Sequence, residues 1–255
     1  MAARILVLAP HPDDEVVGCA VALRRALAAG DACFALYLTT GVPPVETVWP
    51  WQRVRYTARG ARRENEARRV AERIGLTPVA FLDWPARTLK AHLGEALARI
   101  RAALAQHAID LVWAPAWEGA HQDHDAANFL AAQLAGQCRV LEYAAYNFSG
   151  GVVRSGRFGG GESAAELITL TPDEQAWKRA LLAVYASEHG NLAHIGTATE
   201  ALRPLAAHDY TRRPHGGTLF YERFQWVPFR HPRIDFEPSE RLTEALAAFA
   251  GKSPR

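Results

Sequence analysis

The sequence predicts an α/β fold with a mostly parallel sheet and helices on both of its faces. Three observations predict it. Short apolar runs alternate with helix-spaced segments along the first 146 residues, the pattern of successive βαβ units. Those runs are continuously apolar, as in strands buried on both faces. Two of them end in clusters of histidine and aspartate, at the sheet edge where open α/β proteins bind ligands. The chain has 255 residues, 49% of them hydrophobic and 22% charged. That is enough for one large α/β domain or two small ones, with an ordinary globular composition.

The first strand is Ile5-Leu6-Val7-Leu8 and the first helix Val16 to Ala29. Between them lies Ala9-Pro10-His11-Pro12-Asp13-Asp14-Glu15, so His11, Asp13 and Asp14 sit where a strand ends and a helix begins. Imidazole and carboxylate are the ligand types of a catalytic zinc site, and Pro12 restricts the loop between them. Acidic residues in a first helical turn also complement the helix dipole on their own, so this stretch by itself decides nothing.

Cys33 to Leu38 is a second strand, ending in Thr39-Thr40-Gly41. Val42 to Tyr56 carries three prolines with Trp49 and Trp51 and reads as a long loop. Tryptophan is buried on average, so these two are expected to pack the loop onto the core rather than to meet a sugar. Arg59 to Gly75 is a helix with Ala67, Val70, Ala71 and Ile74 on one side and Gly75 as its stop. Eight arginines between Arg53 and Arg73 read mostly as a solvated face with helix-spaced ion pairs. The first turn, nearest the loop edge, is the candidate for anion or hydroxyl binding.

Val79 to Leu82 is a strand, Leu89 to Gln106 a helix and Ile109 to Ala114 a strand. Then comes Trp117-Glu118-Gly119-Ala120-His121-Gln122-Asp123-His124-Asp125, with Ala126 to Ala135 helical. His121 and His124, three apart at a helix start, share a face at a second strand edge of the same sheet. Two such clusters are a much stronger signal than either alone. Asp123 or Asp125 is placed to orient a ligand imidazole.

Arg139 to Ala145 is a fifth strand. The glycine-rich stretch Asn147 to Ser163 lacks the strand–turn–helix form of a dinucleotide site and reads as a loop. Glu166 to Leu170 is a short strand. Thr171-Pro172-Asp173-Glu174 is a capping box that starts a helix running to about Ser187. His189 to His215 reads as irregular, Leu219 to Val227 as a strand and Ser239 to Ala250 as a last helix. No linker divides the chain, so residues 1–255 are read as one domain. Residues 1–146 form its parallel core, and 147–255 supply loops, helices and added strands that complete the site.

A net charge of +2 and the lack of any nucleic-acid-binding motif argue against a nucleic-acid partner. No apolar run reaches the ~18 to 20 residues of a membrane span. The first ten residues lack the order of a signal peptide. Cys19, Cys33 and Cys138 have no metal-type spacing and read as small core residues of a protein in a reducing, cytoplasmic setting.

His11-Pro12-Asp13-Asp14-Glu15 followed by His121-x-x-His124 resembles the PIG-L/LmbE-like zinc-dependent N-deacetylases. The likeness extends to Thr39-x-Gly41, Arg63-x-x-Glu66, Ile74-Gly75 and Glu222-x-Phe224. It implies a Rossmann-like fold and removal of an N-acetyl group from an N-acetylglucosamine-type sugar or glycoconjugate. It implies Zn2+, or another divalent metal, held by His11, Asp14 and His124. Asp13 would be the general base, His121 would help stabilise the oxyanion and Arg63 would bind substrate. Two departures are evident. Ala20-Val21 stand where many relatives have paired glycines. Gly119 stands where some carry a tyrosine that donates to the oxyanion, so that donor must come from elsewhere or be absent. The chemistry stands without the family: a metal polarises a poor amide electrophile and a neighbouring carboxylate moves the proton. Two other readings are a non-catalytic sugar- or nucleotide-binding protein and a metal-dependent esterase. The partner expected is a small amino sugar, and a homo-oligomer is left open.

Overall fold

The computed structural model describes residues 2–160, 166–224 and 238–251. Within them a seven-stranded sheet has the order β3-β2-β1-β4-β5-β9-β8. Its strands are β1 (Arg4–Ala9), β2 (Ala32–Tyr37), β3 (Thr77–Phe81), β4 (Leu111–Pro115), β5 (Arg139–Tyr143), β8 (Glu166–Thr169) and β9 (Thr199–Pro204). The first five are parallel. β9 runs antiparallel to β5, and β8 antiparallel to β9. A two-residue-per-strand ribbon, β6 (Tyr146–Asn147) with β7 (Arg154–Ser155), stands apart.

Alternate residues of β1 feed two core layers, as the two-residue period of a strand requires. Ile5, Val7 and Ala9 pack into one layer, with α1 (Asp14–Ala28) and residues such as Val70, Ile74 and Leu181. These come from α3 (Tyr56–Ile74), which follows the one-turn α2 (Pro50–Arg53), and from α6 (Pro172–Leu182). Leu6 and Leu8 pack into the other layer, with Leu97, Ile100, Phe129 and Leu246. Those belong to α4 (Leu93–Gln106), α5 (Gln122–Ala132) and α7 (Ser239–Ala250). The expected architecture, a mostly parallel sheet covered on both faces, is the one observed. No helix among the described residues is long and apolar enough to cross a membrane.

The chain leaves β1 towards β2 and β3 on one side, and later fills β4 and β5 on the other. β1 and β4 are hydrogen-bonded neighbours, with Ile5 opposite Leu111. The gap beyond their C-terminal ends is therefore the switch point where such sheets bind ligands. His11 to Asp14 leave β1 there, and His121 to His124 follow β4.

Several boundaries differ from those the sequence suggests. Residues 199–204 form β9 instead of irregular chain, because Glu200 is a fully buried strand residue whose charge is matched by Lys178. Residues 220–224 form a 3₁₀ turn, not a strand, and 225–227 lie outside the described residues. The glycine-rich stretch contains the β6–β7 ribbon, and residues 161–163 of it are outside the description. α6 stops at Leu182, short of Ser187, while its capping box at Thr171 is present with both reciprocal hydrogen bonds. Cys19 and Cys33 are buried, but Cys138 is only partly so.

α1 is interrupted at Cys19, where φ is −151°. The break leaves helical backbone groups without partners. Lys178 Nζ donates to the Val17 carbonyl at 3.0 Å, and Glu200 accepts from the Val21 and Ala22 amides at 3.1 and 2.9 Å. The two side chains pair at 2.8 Å, so one buried ion pair satisfies both sides of the break. Gly18 just before it is fixed by close approach: a Cβ there would fall 2.1 Å from the Tyr143 ring. Tyr143 cannot retreat easily, since its hydroxyl donates to the Leu8 carbonyl at 3.0 Å. Gly18→Ala should therefore destabilise the protein by about 1–3 kcal/mol through overpacking, read as a lowered denaturant midpoint at unchanged slope.

Candidate metal centre and its pocket

Three side chains from the two strand ends converge. His11 Nδ1 lies 3.1 Å from Asp14 Oδ2, and His124 Nε2 lies 3.0 Å from Asp14 Oδ1. The His11 and His124 rings are 5.3 Å apart. All three residues are buried, and one ligand atom from each lies within 4.8 Å of the others. Neither nitrogen of His124 makes a hydrogen bond, although the ring is fully buried. The Nε2–Asp14 approach is short but not aligned as a hydrogen bond. Two buried imidazoles, one of them without a hydrogen bond, and a carboxylate are the donor set of a divalent metal. Donors ~2.1 Å from one tetrahedral ion stand about 3.4 Å apart, close to the spacings seen here. The residues fit a metal.

A second grouping, His11 with His121 and Asp123, also has metal-like spacing, but its atoms are already employed. Asp123 accepts from the Arg87 and Leu89 amides at 2.5 and 3.1 Å and faces His11 Nε2 at 3.1 Å. It is placed as an outer carboxylate that would orient the His11 imidazole towards an ion. His121 caps α5: its Nδ1 accepts from the Asp123 amide at 3.1 Å. That bond puts the neutral ring's proton on Nε2. Asp125, the other candidate orienting residue, instead accepts from the Gly119 amide at 3.1 Å.

The electrostatics follow from burial and the neighbouring charges. Burial disfavours a charged His11, but the Asp14 carboxylate and the hydrogen bonds to Asp123 and Asp14 outweigh it and raise its pKa to about 10. Burial pushes the Asp14 carboxyl up, yet the His124 and His11 charges drive it well below the usual range. For His121, burial and the His11 charge push the pKa well below its ordinary value. His121 is thus a neutral N–H donor.

Asp13 points to a different set of partners. Its backbone is held at φ 145°, a strained position for a residue with a side chain. Its Oδ2 accepts from Arg63 Nη2 at 2.8 Å. Burial raises its pKa well above the ordinary carboxylate value, against the pull of Arg63 and with a push from Asp14 and Glu188. Arg63 is itself buried. It also donates to the Pro12 and Gly41 carbonyls at 3.0 and 2.6 Å and pairs with Glu188 at 3.0 Å. Gly41, at φ 69°, lies so close that a Cβ would meet the guanidinium at 2.5 Å. Glu66, one turn on from Arg63, accepts from the Ser187 amide at 3.2 Å and so ties α3 to the segment bearing Glu188.

These groups floor a cavity of about 690 Å³. Trp49 forms part of its rim. Trp49 and Trp51 stack at 4.9 Å and are 44% and 69% exposed, so the loop is not packed onto the core as expected. The far wall is Tyr146, His194, Phe220 and Arg223. Tyr146 stands edge-on to His124 at 5.5 Å and to Phe220 at 4.7 Å. Sequence reasoning missed this wall, and Glu188 with it. None of them carries a motif of its own, and only the fold brings them to the pocket. Gly119, where a tyrosine was noted as missing, is at φ 69°, and Leu219 occupies the space a Cβ would need.

A sequence model of the PIG-L family, described as GlcNAc-PI de-N-acetylase, matches residues 6–135. The chain belongs to the PIG-L family. No curated protein matches it in a sequence search. Among solved structures it resembles the zinc-inhibited form of a teicoplanin deacetylase, at 17% identity and a TM-score of 0.57, over 79% of this chain and 97% of that one. It also resembles the N,N'-diacetylchitobiose deacetylase of Pyrococcus horikoshii, at 16% identity and a TM-score of 0.52, over 80% of this chain and 84% of that one. A third is a 4-carboxy-2-hydroxymuconate hydratase from Pseudomonas putida, at 14% identity and a TM-score of 0.53, over 81% and 98%. At these identities the likeness is one of fold, and a hydratase among the neighbours means the fold alone does not fix the PIG-L member's reaction.

Proposed function

We propose that the protein is a metal-dependent N-deacetylase acting on an N-acetylglucosamine-type sugar or glycoconjugate, with residues 1–255 forming one cytoplasmic catalytic domain. The observation that carries this reading is the buried trio of His11, Asp14 and His124 at the switch point, with both His124 nitrogens free of hydrogen bonds and Asp13 beside it. His11, Asp14 and His124 would hold the ion, zinc by the nature of the donors. When bound, zinc would supply Lewis acidity for an amide carbonyl and would lower the pKa of a water to ~7.

The chain's own residues do the rest. Asp13 accepts the water's proton and later returns it to the leaving amine nitrogen, which an amide needs because an amide anion is a poor leaving group. His121, neutral and with its proton on Nε2, donates to the oxygen on which negative charge develops. Asp123 fixes the His11 ring. Arg63, for which substrate binding was expected, is employed on Asp13, Glu188 and two carbonyls, and we assign it the positioning of the base. Trp49, on the rim, offers an indole face to a sugar ring.

The test is a matched pair, an N-acetyl and an O-acetyl sugar, offered to protein of measured metal content. Release of free amine in preference to alcohol supports the deacetylase, and the reverse supports an esterase. Arg63→Gln separates the two employments of that residue. Positioning predicts that kcat falls by about 10–100-fold, the usual cost of losing an orienting partner, with KM little changed. A rise in KM alone would return Arg63 to substrate binding.

A further inference from the structure

The cavity carries more positive charge than its chemistry uses. Its described lining has three carboxylates, Asp13, Asp14 and Glu188, and among its guanidiniums are Arg59, Arg63 and Arg223. Arg63 already faces Asp13 and Glu188, and Asp14 faces the two histidines. Arg59 and Arg223 have no carboxylate partner among the described residues. Arg59 projects from α3 one turn before Arg63. Arg223 comes from the distant 220–224 turn, where it lies over the Phe148 and Phe220 rings at 4.5 and 4.7 Å. A guanidinium stacked by its face keeps its N–H edge for a ligand. Glu222, next to Arg223, is taken by Arg213 at 2.5 Å and cannot neutralise it.

Two arginines with no carboxylate partner among the described residues, from different parts of the chain and in the walls of one cavity, mark a place for negative charge. The cavity, at about 690 Å³, is also larger than one amino sugar requires and falls in the range of sites for bigger ligands. We infer that the substrate carries an anionic substituent, a phosphate or a carboxylate, beyond the sugar ring that bears the amide, and that Arg59 and Arg223 bind it. The position of the amide over the metal rests on the deacetylase reading, but the anion preference does not. Guanidiniums pair with both oxyanions through parallel N–H donors, so both chemistries belong to one class. The surplus charge also draws such a ligand towards the pocket, an effect that salt weakens.

The experiment is calorimetric binding to metal-loaded protein, with acetate release measured in parallel. The probes are the neutral methyl glycoside of N-acetylglucosamine, N-acetylglucosamine 1-phosphate, and N-acetylmuramic acid, whose charge is a carboxylate. At least one anionic probe should bind about tenfold or more tightly than the neutral one, as a charge-assisted bidentate contact allows. The Arg59→Gln/Arg223→Gln double variant should lose most of that preference while keeping its metal content and neutral-probe affinity. Arg59→Lys/Arg223→Lys, which retains charge but not the fork, should keep part of it. Equal affinity for all three probes in the native protein overturns the proposal. So does a preference that survives the glutamine double variant, since the anion would then be on the metal itself. If the preference behaves as expected but no acetate is released from any probe, the anion site stands and the deacetylase reading falls.

Discussion

Asp13→Asn is expected to keep its metal and lose about 10²- to 10⁴-fold in kcat, the usual share of general acid–base work. The reason lies in the division of labour between two neighbouring carboxylates. Asp14 faces His11 and His124, whereas Asp13 faces Arg63 and belongs to no metal-like grouping. Asparagine preserves the shape and can still accept from Arg63, so the change isolates the proton. The strained backbone at φ 145° stays as it is, because aspartate and asparagine differ little in backbone preference. Metal content by mass spectrometry, beside kcat, checks the expectation. A metal-free Asp13→Asn protein, or one with nearly native kcat, would show that the two roles have been exchanged.

The second large effect is on the metal. Asp14→Ala should leave the purified protein with little or no bound ion and no measurable turnover, part of which excess metal restores. Outer partners alone typically account for about 10–100-fold in metal affinity or activity, and removing a donor itself should cost more. Asp123→Asn supplies the comparison. It loosens His11 without removing a donor, so its metal affinity should fall by about that outer-partner amount. His121→Ala should retain the metal, because its ring is engaged as the cap of α5. Metal titration of the three variants in one chelating buffer series orders them. If His121→Ala lost the ion and Asp14→Ala kept it, the alternative grouping around Asp123 would be the metal site.

The parallel half of the sheet was legible because each strand is a continuous apolar run followed by a helix with its own start and stop signals. The pairing of the two motifs was legible for the same reason: His11 and His124 each follow such a run, and adjacent parallel strands bring their ends together. β9 was not legible, since its sequence Thr199-Glu-Ala-Leu-Arg-Pro204 hides a buried charge that makes sense only beside Lys178, 22 residues earlier. Arg63 was legible as a residue of the site but not as the partner of Asp13, because nothing local links residues fifty apart. Trp49 and Trp51 went against the average behaviour of tryptophan by stacking on each other at the rim, where each covers part of the other. The neutral state of His121 could not be read from its spacing. It comes from burial, the nearby His11 and the cap hydrogen bond.

The most direct test of the account is product analysis on metal-loaded protein, with a chelator-treated control and stoichiometric zinc added back. N-acetylglucosamine, free or bearing an anionic substituent, should yield acetate and free amine in equal amounts. The reaction should stop on chelation and resume with zinc. Amine release that ignores the chelator, or metal-loaded protein that frees no amine from any N-acetylated sugar, would contradict the account.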